Sequence, residues 1–131
     1  MEIKPGERFR KNFTISEEIY RGFIALFQDQ NPRHTDEAFA REKGFRGRVM
    51  HGNILGGFLS YFIGECLPVK NVIIHKQEIK YLKPAYLDDF IAFEAIVNDI
   101  HESVNAIEFK FIFKNEAGKK LAKGSIQIGI I

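Results

Sequence analysis

Hydrophobic and polar residues alternate along the second half of the chain. The clearest set of alternating apolar positions is Ile107, Phe109, Phe111 and Phe113. The same two-residue period runs through 91–97 and 122–130, and the apolar run at 72–82 predicts a fourth strand. Residues 115–118, Asn-Glu-Ala-Gly, predict the turn between the last two strands. Because a two-residue period places every second side chain on one face, 71–131 predicts an antiparallel sheet with one face on a core.

The first half of the chain follows a helical period instead. A short strand at 7–13 leads into the segment 14–18, Thr-Ile-Ser-Glu-Glu, where a hydroxyl cap followed by acidic residues predicts a helix start. The apolar positions that continue this helix are Ile19, Phe23, Ile24 and Phe27, with Tyr20 beside them. We expect the helix to end near Gln28 or Asp29, because Pro32 disfavours helical geometry at the residue before it.

Two further helices are predicted before the sheet. Thr35 is placed to cap a short helix at 36–43, which Gly44 ends. The segment 51–65 is apolar almost all round, which is typical of a buried helix. A sheet wrapped around this helix is an α+β arrangement, and 131 residues suffice for one core. The sequence therefore predicts a single domain over 1–131, with an antiparallel sheet around a long central helix.

Composition narrows the class of protein. Hydrophobic residues make up 45% of the chain and the net charge is only +2, which is typical of a globular domain rather than a disordered one. The small net charge argues against a nucleic-acid or membrane partner. The longest stretch without Asp, Glu, Lys or Arg is 49–64, shorter than the ~20 apolar residues of a membrane span. With no apolar leader and no close His/Cys cluster, we expect a cytoplasmic protein without a metal site.

The segment 27–36 contains the best candidate for chemistry. Asp29 and His34 stand five residues apart across a turn that Pro32 restricts. A carboxylate accepts protons, and an imidazole accepts or donates them near neutral pH, so the pair suits the addition of water to a double bond. The alternative is structural, because an aspartate in a turn before proline often serves only to cap backbone amides.

Residues 27–40 resemble the signature of the MaoC-like, (R)-specific enoyl-CoA hydratases. In that family an aromatic residue precedes Gly-Asp-x-Asn-Pro-aliphatic-His, and Ala or Ser follows after five residues. The matching positions here are Asp29, Asn31, Pro32, His34 and Ala40. Residues 44–52 resemble the family's approach to its central helix, and 81–89 resembles its F-x-x-P-V-x-x-G-D segment.

This resemblance implies the hot-dog fold and a homodimer or a dimer of dimers. It also implies an acyl-thioester substrate, carried by coenzyme A or acyl carrier protein, and no separate cofactor. Four positions depart from the family pattern. Gln28 and Asp88 each replace a glycine, Arg33 replaces a small aliphatic residue, and Asn53 stands where many members carry methionine. None removes a catalytic side chain, but Gln28 and Arg33 flank the Asp–His pair, where they can alter its geometry or the substrate fit.

The resemblance also assigns roles to the candidate site residues. Asp29 and His34 become the catalytic pair, and the backbone N–H of Gly52 becomes the donor to the thioester oxygen. The second role is physically sound, because free N–H groups and the dipole at a helix N-terminus favour negative charge. The other residues expected on the oxyanion or substrate-binding side are Asn31, His51 and Ser60. For His51 and Ser60 a purely structural role is the alternative.

The sequence thus predicts a hydro-lyase, an (R)-specific enoyl-CoA hydratase that is equally a 3-hydroxyacyl-thioester dehydratase, since one site runs both directions. Two alternatives stay open. A hot-dog acyl-CoA thioesterase needs an acid near the central helix, where Glu65 is the only one. A non-catalytic acyl-thioester-binding protein would keep the fold without turnover. The predicted inner surface is crowded with phenylalanines, among them Phe58, Phe62 and Phe109, which predicts a preference for acyl chains of about four to six carbons.

Overall fold

The computed structural model describes residues 2–131, which contain five strands and four α-helices. Strand β1 (Arg8–Thr14) is followed by helices α1 (Glu17–Phe27), α2 (Pro32–Thr35), α3 (Glu37–Glu42) and α4 (Asn53–Tyr61). Helix α4 continues as a π-helical segment, Phe62–Cys66. The remaining strands are β2 (Val72–Tyr81), β3 (Phe90–His101), β4 (Ala106–Lys114) and β5 (Lys120–Ile130).

All five strands of this part of the chain form one antiparallel sheet, in the order β1-β3-β4-β5-β2. Strands β1 and β2 are therefore its two edges. The alternation predicted for β4 is confirmed, because Phe109 and Phe113 are fully buried while Lys110 between them is exposed. The predicted turn before β5 is also present, where the Gly118 N–H donates to the Asn115 carbonyl oxygen at 2.9 Å.

Helix α4 and its π-helical extension lie on the inner face of the sheet. The buried side chains of this segment are Ile54, Leu55, Phe58, Leu59, Phe62 and Ile63. The Phe62 ring contacts the rings of Phe93 on β3 and Phe109 on β4, with centroid separations of 5.0 and 5.7 Å. Burying one such side chain contributes ~1.5–3 kcal/mol, so this contact holds the helix to the sheet. The α+β hot-dog architecture expected from the resemblance is confirmed. Within residues 2–131, no helix combines the length and the apolar character required to cross a membrane.

The segment before the central helix differs from the prediction. Helix α2 was expected to be a turn, but Pro32 occupies its first turn, where a missing N–H costs nothing. Thr35 was predicted to cap the next helix, and this is wrong. Thr35 ends α2, and its hydroxyl donates to the Gln30 carbonyl oxygen at 3.2 Å. The cap is Asp36, whose Oδ1 accepts from the Phe39 N–H at 3.1 Å.

Two of the departures from the family pattern have a backbone explanation. Gln28 has φ = 60° and Asp88 has φ = 66°, both in the left-handed region. Glycine adopts this region without steric cost, whereas other L-residues lose roughly 1–2 kcal/mol there. Glycine would therefore fit the backbone at both positions without strain, whereas this chain carries larger side chains there.

Candidate active site

The loop after α1 sets the position of Asp29. Gln28 ends α1, and its N–H donates to the Ile24 carbonyl oxygen at 2.7 Å. The Asp29 carboxylate then has two roles, one for each oxygen. Oδ1 accepts from the Asn31 N–H at 3.2 Å, and Oδ2 lies 3.7 Å from Nε2 of His34. The structural and the chemical interpretation of this aspartate are thus compatible, because only one of its oxygens is used by the turn.

His34 is buried, and its ring is held in one orientation. Its Nδ1 lies 2.6 Å from the Val49 carbonyl oxygen, and because a carbonyl only accepts, the hydrogen of the neutral ring is on Nδ1. The Val49 N–H in turn donates to the Arg33 carbonyl oxygen at 2.8 Å, which ties α2 to the approach to α4. The Nε2 lone pair therefore faces Asp29.

The environment of His34 favours its neutral form. Burial lowers the pKa of His34 below its ordinary value of 6.5, and the neighbouring His51 and Arg33 act in the same direction. The hydrogen bond to Val49 and the charge of Asp29 oppose this shift in pKa. At neutral pH the site therefore presents a proton acceptor at Nε2 of His34 beside the Asp29 carboxylate.

Two buried side chains hold the backbone of the Asp29–His34 pair. His51, 3% exposed, donates from Nε2 to the Asp29 carbonyl oxygen at 2.8 Å. Tyr20, 4% exposed, donates from its hydroxyl to the His34 carbonyl oxygen at 2.6 Å. The His51 ring also stacks on His34, with centroids 3.9 Å apart. The carbonyl oxygen of each member of the pair thus accepts a side-chain hydrogen bond, His34 from Tyr20 on α1 and Asp29 from His51.

Gly52 stands at the N-terminus of α4 and is its N-cap residue. Among residues 2–131, no oxygen accepts a hydrogen bond from its amide, so that donor is free for a ligand. The ring of Tyr81, the last residue of β2, lies directly above it: a Cβ atom on Gly52 would be 2.8 Å from Cε1 of Tyr81. A glycine is needed here for this close approach.

Two cavities meet at Asp29. A cavity of about 470 Å³ is lined by His34, His51 and Gly52, with the cationic side chains of Arg33 and Lys83. A second cavity of about 770 Å³ lies between α1 and α4 and is mainly apolar. Its apolar lining includes Phe23, Leu26, Phe27 and Phe58. Asp29, Phe23 and Asn53 line both cavities, so the carboxylate sits where a polar and an apolar compartment join.

The crowding of phenylalanines predicted for the acyl site is mostly core packing. Phe62 and Phe109 are fully buried between helix and sheet and line neither cavity. Phe58 alone of the three lines the apolar cavity. The preference for short acyl chains stays a prediction, with Phe58 as its remaining support.

Asp29, His34 and His51 also form the one group of potential metal ligands within residues 2–131, with one atom of each inside 4.8 Å of the others. An imidazole binds a metal in the plane of its ring, at ~2.0–2.1 Å for zinc. The rings of His34 and His51 are stacked at 3.9 Å with only 29° between their planes, so their lone pairs do not converge on one point. The cluster suits proton transfer better than metal binding.

Two predicted site residues lie outside these cavities. The Asn31 side chain caps α2, accepting from the Arg33 N–H at 3.1 Å, and Ser60 is exposed on α4. Their substrate contacts stay predictions.

The sequence did not predict the hydrogen bond from Tyr20 to His34 or the contact of Tyr81 with Gly52. Tyr20 was noted only as a neighbour of the apolar face of α1, and no local pattern signals its bond to a residue 14 positions away.

Comparison with known proteins identifies the family. The family model described as "MaoC like domain" matches residues 2–115. The chain is 28% identical over 127 residues to the (R)-specific enoyl-CoA hydratase of Rhodospirillum rubrum, covering 97% of this chain and 88% of that protein. It is 31% identical over 102 residues to the (R)-specific enoyl-CoA hydratase of Aeromonas caviae, covering 78% and 75%. The solved structure of R-hydratase PhaJ1 from Pseudomonas aeruginosa has a TM-score of 0.89 at 28% identity, over 98% of this chain and 83% of that one. The chain therefore belongs to the MaoC-like domain family.

Proposed function

We propose that this single MaoC-like domain is an (R)-specific enoyl-CoA hydratase, equally a 3-hydroxyacyl-thioester dehydratase. One observation carries the proposal: Oδ2 of Asp29 and Nε2 of His34 face each other at 3.7 Å, at the junction of the two cavities. The relatives from Rhodospirillum rubrum and Aeromonas caviae are both named for this activity. The apolar cavity suits the acyl chain, and the polar cavity suits the thioester and its carrier.

The reaction follows from the atoms that face this junction. The water oxygen bonds to C3 of the enoyl thioester and gives one proton to the Asp29–His34 pair, while the double-bond electrons move toward the thioester oxygen. The amide of Gly52 donates to that oxygen as it gains negative charge. The protonated member of the pair then returns a proton to C2. One water is added in total, and the pair returns to its starting state.

The stereochemistry and the carrier follow from the same arrangement. A water held on one face of the alkene by both groups gives one configuration at C3, and we propose the (3R) product by analogy with the relatives. Arg33 and Lys83 line the polar cavity. Their positive charge suits the phosphates of coenzyme A or of the phosphopantetheine arm of acyl carrier protein. No other cofactor takes part in the proposed reaction.

The two alternatives have less support. A thioesterase needs an acid beside the thioester carbon, but Glu65 is exposed at the far end of the central helix, where it pairs with Lys70 at 4.0 Å. A non-catalytic binding protein has no use for a buried His34 with a lowered pKa and a backbone carbonyl held by Tyr20. The hydratase therefore accounts for more of the site than either alternative.

The experiment that tests the proposal is an absorbance assay that follows loss of the conjugated thioester of crotonyl-CoA. We expect Asp29→Asn and His34→Ala each to lower kcat at least ~10²-fold with a much smaller change in KM, because both remove proton transfer. The chain offers a matched control. Asp99 and His101 form an exposed Asp–His pair at 3.4 Å that lines neither cavity, so Asp99→Asn and His101→Ala should keep full activity. Full activity in a folded Asp29→Asn variant would contradict the proposal.

We also propose that the protein is a homodimer, or a dimer of dimers. Edge strand β2 pairs only with β5 among residues 2–131 and exposes two apolar side chains, Ile73 at 49% and Ile74 at 39%. An unpaired edge of this kind is a template for another strand. A cytoplasmic location remains a prediction of the sequence.

A further inference from the structure

Tyr81 places its ring over Gly52, whose amide is free, and its hydroxyl near Asn53 at the start of the same helix. Its Cζ atom, which carries the hydroxyl, lies 3.0 Å from the position that a Cβ of Gly52 would occupy. Tyr81 lines the same cavity as His34 and Gly52, although Tyr81 and Gly52 are 29 residues apart in the chain. The contact therefore belongs to the tertiary structure, and it brings a second donor to the N-terminus of the central helix.

The Tyr81 hydroxyl has no strong partner in the protein. Its one hydrogen bond within residues 2–131 goes to Oδ1 of Asn53 at 3.5 Å, the outer limit for such a bond. A long bond of this kind is readily exchanged for a bond to a ligand oxygen in the same cavity. Burial raises the pKa of the Tyr81 phenol above its usual value of 10.0, so the group keeps its proton and remains a donor over the physiological range.

We propose that the Tyr81 hydroxyl is a second donor to the thioester oxygen, acting beside the Gly52 amide as negative charge develops there. The inference rests on the proposed hydratase reaction and deepens it, because it assigns a further side chain to the binding of the thioester oxygen. In the free protein the hydroxyl makes only the long bond to Asn53, which it exchanges for a bond to the substrate.

Two roles of Tyr81 have to be separated by experiment. The ring covers Gly52 and helps to exclude water, whereas the hydroxyl donates to the substrate. Tyr81→Phe keeps the ring and removes only the hydroxyl. Removing one donor of an oxyanion hole typically costs ~10²–10³-fold in kcat. Since Tyr81 is half-exposed and the Gly52 amide remains, we expect a loss of about tenfold in kcat, with KM changed less than about threefold.

A matched control is available on the central helix. Tyr61 is 46% exposed against 47% for Tyr81, and it lines neither cavity at the catalytic pair. Tyr61→Phe should therefore keep the wild-type kcat, and both variants should unfold at nearly the wild-type temperature. A folded Tyr81→Phe protein with unchanged kcat would overturn the inference, and the proposed function would stand.

A spectroscopic measurement reports on polarisation of the carbonyl without turnover. In an Asp29→Asn background, binding of hexadienoyl-CoA should shift the absorbance band of the conjugated thioester to longer wavelength, because donors pull electrons toward its oxygen. Adding Tyr81→Phe should shrink this shift by a clear fraction while the dissociation constant changes little. An equal shift in both proteins overturns the role of Tyr81. A wild-type protein without hydratase activity overturns the proposed function and this inference with it.

Discussion

The hydrogen bond from His51 to the carbonyl of Asp29 gives the sharpest test of how the site is held together. His51→Phe keeps a flat ring against His34 but removes the Nε2–H donor that now lies 2.8 Å from the Asp29 carbonyl oxygen. A hydrogen bond of this type contributes about 0.5–1.5 kcal/mol net. If that free energy is what keeps Asp29 in its reactive position, its loss lowers the population of that position by about two- to twelvefold.

We therefore expect kcat of His51→Phe to fall about two- to twelvefold, with KM within about twofold of the wild-type value, since the substrate still finds both cavities. His51→Gln is the matched variant. Its amide nitrogen reaches the place of Nε2, so it should restore most of the activity although the stacked ring is lost. The measurements are steady-state hydration of crotonyl-CoA and thermal unfolding, with His101→Gln as an exposed histidine control at 49% side-chain exposure.

Three outcomes separate the possible roles of His51. A loss in His51→Phe that His51→Gln restores supports the positioning hydrogen bond. Equal losses in both variants would assign the effect to ring packing against His34. Wild-type kcat in a folded His51→Phe protein would refute the reasoning altogether, because Asp29 would then keep its position without the bond.

Further predictions concern pH, backbone and assembly. Because burial lowers the pKa of His34 below 6.5, the acid limb of kcat/KM for hydration should have its midpoint below pH 6.5 in a pH–rate profile. Below pH 6.5 the unfolded chain binds more protons at His34 than the folded protein does. The free energy of unfolding should therefore fall as pH drops toward the pKa of His34 in the folded protein. In denaturant titrations, His34→Ala should lack this pH-dependent part of the free energy of unfolding. Gln28→Gly should be as stable as the wild type or up to about 1 kcal/mol more stable, with unchanged kcat, because it removes left-handed strain at φ = 60°. Light scattering should give a mass that is a multiple of 15.1 kDa for the wild type. Ile74→Lys on edge strand β2 should lower the measured mass toward that of the monomer. A wild-type monomer with full activity would contradict the proposed dimer.

The sequence by itself determined most of the elements and the closeness of Asp29 and His34. The two-residue period of β4 and the hydroxyl cap within residues 14–18 depend only on neighbouring residues, and the structure confirms both, with Ser16 Oγ accepting from the Ile19 N–H at 3.2 Å. Asp29 and His34 are five residues apart, so a single short loop brings them together. The resemblance to the family rested on this segment together with residues 44–52 and 81–89. Where local reasoning failed, as at Thr35, two neighbouring residues were both able to cap, and the register of α2 decided between them.

Only the tertiary structure decided which side chains lie against Asp29, His34 and Gly52. Periods of 2 and 3.6 residues tell which face of an element is buried, but they carry no information on what lies opposite. His51 reaches back 22 residues to Asp29, Tyr20 reaches forward 14 residues to His34, and the ring of Tyr81 lies over Gly52 from the edge of the sheet. The phenylalanines show the same limit, since Phe58 lines a cavity while Phe62, one helical turn away, fills the core. A buried polar side chain takes whichever partner the packed chain brings within about 3 Å, and that choice is made only when helix and sheet come together.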